Sequence, residues 1–119
     1  METVFVYGTL RRGGSNHHRL HGAEFIAMAT MRGRLYRIDW YPGLVADGDS
    51  GEVTGEIHHV PASLLAALDD YEGPEYRRVK MHVRPAHGTV PECYAWVWLW
   101  NGPVDETRRI ADGDWLAVT

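Results

Sequence analysis

Residues 68–76 read LDDYEGPEY, and three carboxylates, Asp69, Asp70 and Glu72, fall where the spacing predicts the last turn of a helix. A helix C-terminus is already partly negative, and each acid raises the cost of ionising the others. A carboxyl held there has its pKa raised, as a general base or proton shuttle requires. The alternative is a solvated acidic patch paired with Arg77 or Arg78.

A second stretch, FVYGTLRRGG at residues 5–14, runs from apolar residues into Gly8, then Thr9, Leu10, two arginines and two more glycines. Gly8 and Gly13 have the glycine spacing of a phosphate-binding loop. Lysine and then serine or threonine should follow, but Gly14 and Ser15 stand there. Without the lysine there is no point charge for the outer phosphates, and nucleotide binding is not expected. Backbone N–H groups in such a turn can still converge on an anion or a carbonyl oxygen. The alternative is a plain connecting loop.

Other chemistry has less support. His17, His18 and His21 form a short cluster and His58–His59 a pair, but no His-Glu-x-x-His is present. Neighbouring strand residues point to opposite faces, so His58 and His59 do not readily share a metal. The single cysteine, Cys93, heads an apolar strand and reads as a structural thiol. No Gly-x-Ser-x-Gly elbow occurs. No metal or cofactor is called for, so any reaction must rest on positioning and a proton carrier.

These residues need a scaffold. The 119-residue chain suits one domain, residues 1–119, with a core that needs no disulfide. It is 45% apolar and 24% charged, with a net charge of −4, so a soluble protein without nucleic-acid partners is expected. One cysteine and no signal-like N-terminus fit the cytoplasm. The longest strongly apolar run, Cys93–Trp100, is too short to cross a membrane. Oligomeric state is not legible.

Strands are expected at Thr3–Tyr7, at Met28–Ile38 with a bulge or close approach at Gly33, at Glu52–Val60, at Tyr76–Arg84 and at Cys93–Trp100. The last is apolar on both faces, which predicts burial on both sides. WYPGL at residues 40–44 reads as a turn. Residues 61–73, PASLLAALDDYEG, read as a helix that Gly73 and Pro74 end. A short helix is expected around Asp105–Ala111. Residues 16–21 are ambiguous between a helical turn and coil. Strands and helices do not alternate regularly, so the expected class is α+β: a small mixed β-barrel with one or two short helices packed outside.

VFVYGTLRRG, YPGL, VTGEIHHV, LDDYEGPEYRR and the late GDW at 113–115 together resemble the gamma-glutamylcyclotransferase-like family, in its AIG2-like, gamma-glutamylamine cyclotransferase branch. The resemblance covers nearly the whole chain. It implies a small barrel with a pocket at one end, and a substrate-binding loop of Tyr7, Gly8, Thr9 and Leu10. It implies that Glu72 is the catalytic acid/base. The implied reaction splits a gamma-glutamyl amide, releasing 5-oxoproline and a free amine. Tyr41, or Pro42–Gly43, is expected to shape the pocket, Tyr76 to hydrogen-bond near Glu72, and Arg77 to balance it. The loops Asp47–Gly51 and Ala86–Glu92 are expected to read the amine end of the substrate. Competing readings are a non-catalytic binding protein of this fold, removal of a gamma-glutamyl protecting group in a biosynthetic pathway, and an interaction module using Trp96, Trp98 and Trp100.

Overall fold

The computed structural model describes residues 1–46, 51–86 and 90–118. Seven strands form: β1 (Glu2–Val6), β2 (Glu24–Arg32), β3 (Arg34–Arg37), β4 (Pro42–Val45), β5 (Glu52–Val60), β6 (Tyr76–Pro85) and β7 (Cys93–Trp100). One α-helix, α1 (Ala62–Glu72), separates β5 from β6. Five strands close a mixed barrel in the order β1-β5-β2-β6-β7, and β3 with β4 make a separate two-stranded sheet. The closing pair, β7 against β1, is parallel, and the other barrel pairs are antiparallel. The α+β barrel with an outer helix therefore forms as expected.

Alternation along the strands sorts the core into two layers. Phe5, Met31, Val53, Ile57, Val83, Ala95, Val97 and Leu99 belong to one buried cluster, the barrel core. Val4, Val6 and Trp98 turn the other way and meet Leu65 and Leu68 of α1. These two leucines are buried, each worth about 1.5–3 kcal/mol. The second cluster is why α1 lies across the outside of β1 and β7, with its C-terminus at the barrel end where β1 runs out.

Several boundaries differ from expectation. β1 ends at Val6, which leaves Tyr7 at the mouth of the following loop. The expected strand Met28–Ile38 is two strands. β2 begins earlier, at Glu24, and β3 leaves for the second sheet. A register shift between Phe25 and Ala27 breaks the alternation that would have marked the start of β2. At the junction, the Gly33 N–H donates to the Gly51 carbonyl at 2.9 Å, and a side chain at 33 would meet Leu44 Cδ1 at 2.7 Å. The turn expected at residues 40–44 lies earlier: the N–H groups of Ile38 and Asp39 both donate to the Tyr41 carbonyl. Pro42 then opens β4, where a first strand residue can lack an N–H. Burial on both sides of β7 holds only for Val97–Trp100, because Tyr94 is 64% exposed. The helix expected near 105–111 is a 3-10 turn, Glu106–Arg108, capped by the Asp105 side chain. Two further 3-10 turns, His17–Leu20 and Trp115–Val118, complete the described chain. No helix of the described residues is long and apolar enough to cross a membrane.

Candidate active site

Glu72 is the last residue of α1. Gly73, at φ 84° and ψ −177°, turns the chain away in a backbone region that is almost exclusive to glycine. The helix therefore ends with the Glu72 side chain at the barrel mouth. Burial pushes its carboxyl up to about 7, and Asp69 adds a smaller push in the same direction. The sequence pointed to crowded acids as the cause. The larger cause is removal from water, and Asp70 points out to solvent. Asp69 is anchored instead, accepting from Arg78 Nε and Trp98 Nε1, each at 2.8 Å. Arg77 is exposed and forms no ion pair with Glu72, so it does not balance that charge. Among the described residues no side chain bonds the Glu72 carboxyl.

Across the mouth lies the loop that leaves β1. Three of its carbonyls are engaged: Gly8 accepts from the Arg11 N–H at 3.1 Å, Thr9 from Asn16 N–H at 2.9 Å, and Leu10 from His17 Nδ1 at 2.9 Å. The N–H groups of Gly8, Thr9 and Leu10 donate to no acceptor among the described residues. Successive N–H groups left without partners in a turn are the kind of donors that anion-binding concavities use. Glycine is required at position 8 because a side chain there would meet Pro42 Cγ at 2.7 Å.

The loop is held from behind by buried charge. Arg11, 5% exposed, reaches Glu56 Oε2 at 3.5 Å and Asp114 Oδ1 at 2.7 Å. The two Glu56 oxygens accept from the Arg12 N–H at 3.0 and 3.2 Å. His58 Nε2 donates to Glu56 Oε1 at 3.0 Å. Burial alone would raise the Glu56 pKa, but these hydrogen bonds outweigh it and hold the carboxylate below its ordinary range. His17 and His58 are thus engaged in fixing the loop.

Between Glu72 and the loop is a cavity of about 220 Å³. This is below the usual drug-sized range of about 300–1,000 Å³ and suits an amino-acid-sized head group. Tyr7, Gly8, Thr9, Leu10, Tyr41, Glu72 and Tyr76 all line it, so the structure brings the sequence-selected residues to one place. Two tyrosine hydroxyls are already engaged. Tyr7 donates to the Trp98 carbonyl at 2.7 Å and accepts from the Leu44 N–H at 3.3 Å. Tyr76 donates to the Pro42 carbonyl at 2.6 Å rather than to Glu72. Both thereby tie the β3–β4 sheet to the barrel, and burial raises both phenol pKa values, Tyr7 well above the ordinary range.

Sequence reading missed six lining residues, Phe5, Val6, Trp40, Tyr71, Glu75 and Trp98. Trp98 is buried, Trp100 is buried, and Trp96 is flanked by Arg78 and Lys80, so the tryptophan row is core and not a docking face. The Tyr71 hydroxyl lies 3.3 Å from Thr9 Oγ1. Trp40 had one legible signal, a large aromatic in a turn. Of the loops expected to read the amine end, residues 47–50 and 87–89 lie outside the described residues. The arrangement can hold a small anionic group on backbone amides while a carboxyl raised to about 7 exchanges a proton with a nitrogen of the same ligand.

Known proteins share both the sequence and the fold. The profile of the family described as "Gamma-glutamyl cyclotransferase, AIG2-like" matches residues 4–117. The chain is 33% identical to the gamma-glutamylcyclotransferase family protein YtfP of Escherichia coli K12 over 95% of each chain. It is 36% identical to the gamma-glutamylaminecyclotransferase of Rattus norvegicus over 71% of this chain and 64% of that one. Among solved structures, an uncharacterized protein of Pyrococcus horikoshii superposes with a TM-score of 0.80 at 26% identity, covering 99% of this chain and 92% of that one. An AIG2-like protein from mouse does so at 0.78 and 29% identity, covering 89% and 81%. With a barrel, a carboxyl-lined mouth and a match along almost its whole length, this chain belongs to the gamma-glutamyl cyclotransferase, AIG2-like family.

Proposed function

We propose that the protein is a cyclotransferase that cleaves a gamma-glutamyl amine or peptide into 5-oxoproline and the free amine. The observation that carries this reading is Glu72, a carboxyl raised to about 7 at the wall of a cavity shared with the Gly8–Leu10 amides. The substrate's own α-nitrogen attacks its γ-carbonyl carbon. That C–N bond forms, the γ-amide C–N bond breaks, and no water is consumed. Glu72 takes the proton from the attacking nitrogen and returns it to the leaving nitrogen, two transfers that suit a group titrating near neutrality. The loop amides hold the α-carboxylate or brace the oxyanion that forms on the γ-carbonyl.

Ring closure needs the glutamyl chain folded back on itself. Holding a reactive conformer of this kind can lower a barrier by up to about 7–11 kcal/mol, so no protein nucleophile is required. The rings of Tyr7, Tyr41 and Tyr76 provide walls for the folded chain. The Tyr76 hydroxyl, its proton directed to Pro42, keeps a lone pair that can accept from an N–H of the substrate α-amine. The test is 5-oxoproline release from a panel of gamma-glutamyl amino acids, peptides and amines. Release by the wild type that disappears in Glu72→Gln, with an unchanged circular dichroism spectrum, supports the reading. Near-full release by Glu72→Gln refutes the role of Glu72, and no release from any panel member refutes the activity.

A further inference from the structure

We propose that the outer rim of the same cavity selects a leaving amine that carries a second, cationic group and no carboxylate, as a γ-glutamyl diamine does. This inference rests on the cyclotransferase reading for the inner half of the site. It concerns what lies beyond the scissile amide.

Charge at the rim has one sign. Among the described residues lining the cavity, the charged ones are Glu72 and Glu75, and no lysine, arginine or histidine joins them. Glu72 belongs to the reacting end. Glu75 stands on the far side of Gly73–Pro74, exposed, with its carbonyl fixed by the Asn101 N–H at 2.9 Å. Its carboxylate has no ion-pair partner among the described residues. The field of Glu75 is felt at Tyr41, whose hydroxyl pKa is raised by burial first, then by Glu75 and Asp39.

The rim is also aromatic. Trp40 is 58% exposed in a protein whose other tryptophans are packed, and its ring meets Tyr41 edge to face with centroids 5.0 Å apart. Tyr41 in turn stands 6.4 Å from the Tyr76 ring. Aromatic faces beside an unpaired carboxylate form a receptor for an ammonium group, with tryptophan the strongest of the aromatic contributors. A carboxylate at the same place would meet Glu75 and find no cation among the described residues that line the cavity. The Arg19 guanidinium stacks on the ring of Tyr71, a lining residue, at 4.1 Å, but Arg19 itself does not line the cavity.

The test uses three γ-glutamyl amides of equal chain length: those of 1,4-diaminobutane, butylamine and 4-aminobutyrate, which end in a positive, a neutral and a negative group. Binding is measured by calorimetry on Glu72→Gln, which should not turn them over, and on the double variant Glu72→Gln/Glu75→Gln. The diamine amide should bind about tenfold more tightly than the butylamine amide, and the aminobutyrate amide more weakly than either. The ratio between the first two should fall to about twofold or less when Glu75 is neutralised, and high salt should narrow it as well. Equal or reversed ranking, an unchanged ratio in the double variant, or no binding of any of the three overturns the proposal. Ranked binding with no 5-oxoproline released by the wild type would instead refute the cyclotransferase reading and leave the cation subsite standing.

Discussion

Glu56 turns its carboxylate onto the backbone of Arg12, with oxygens 3.0 and 3.2 Å from a single N–H. Glu56 is 2% exposed, and the same carboxylate takes Arg11 and His58. The loop that offers free amides to the cavity is therefore fixed by a charge one layer beneath it. Glu56→Ala should destabilise the protein by about 3 kcal/mol, because it leaves Arg11 buried with only Asp114 to compensate it. Urea denaturation checks this. In Glu56→Gln, KM for a gamma-glutamyl substrate should rise by at least about tenfold with a smaller change in kcat, since the amides are misplaced while Glu72 is untouched.

The same carboxylate makes a prediction in acid. Its folded pKa lies below the ordinary value, so the stability it contributes is complete above the ordinary carboxylate range and is lost as pH falls through the folded value. Wild type should lose stability steeply below about pH 4.5, and Glu56→Gln, less stable throughout, should show a shallower slope there. Equal slopes in chemical denaturation between pH 3 and 5 would show that Glu56 is not the group responsible.

The sequence carried the barrel because Cys93–Trp100 runs apolar over its length and Arg77–Arg84, within β6, alternates apolar with charged residues. β2 was cut short because its bulge near Phe25 breaks the alternation. The β3–β4 sheet was hidden because β4 opens on Pro42, and a proline followed by glycine reads as a turn. Glu72 and the Gly8 loop were legible as local rule-breaking, an acid at a negative helix end and glycines after a buried strand. The Arg11–Glu56–Asp114 clamp was not legible, since its members lie 45 and 103 residues apart and no local pattern links them.

Gly73 should be sensitive although a side chain there would collide with nothing. A Cβ there would meet no atom within 4 Å, so substitution acts through the backbone alone. Gly73→Ala must either hold φ near 84° or re-route the chain after Glu72. A stability loss of about 2 kcal/mol is expected, in the usual range for this backbone region. The activity loss should exceed what that stability loss explains when assayed well below the melting temperature, because the end of the helix aims the carboxyl. Retained activity in a destabilised variant would separate helix termination from Glu72 placement.

Gly8→Ala meets the opposite situation, a collision with Pro42 Cγ at 2.7 Å. The proline opens β4 and its carbonyl receives the Tyr76 hydroxyl, so the strain passes into the cavity wall. An intact barrel with weakened binding of gamma-glutamyl ligands is expected. Its signature is a far-ultraviolet spectrum like the wild type with a Kd raised by about tenfold or more, as misplacing a backbone cradle implies.

Glu72 should also set stability against function. Because the fold raises its pKa to about 7, the folded protein holds that proton more tightly than the unfolded chain does. The stability it contributes is complete below the ordinary carboxylate range and is lost as pH rises through about 7. Glutamine has no such titration. The stability difference between Glu72→Gln and wild type should therefore move in the variant's favour by up to about 3 kcal/mol between pH 4 and pH 8. The same proton sets the rate. The low-pH limb of kcat/KM should bend near pH 7, where the carboxylate becomes available as a base. Asp69→Asn should move that bend to lower pH without returning it to the ordinary carboxylate range, because Asp69 is the lesser cause of the shift and burial the greater. Paired denaturation and rate profiles on the same three proteins check both statements. A bend that coincides with the midpoint of the stability change would identify one titrating group behind both, and a bend that stays fixed in Asp69→Asn while stability shifts would assign the rate to another group.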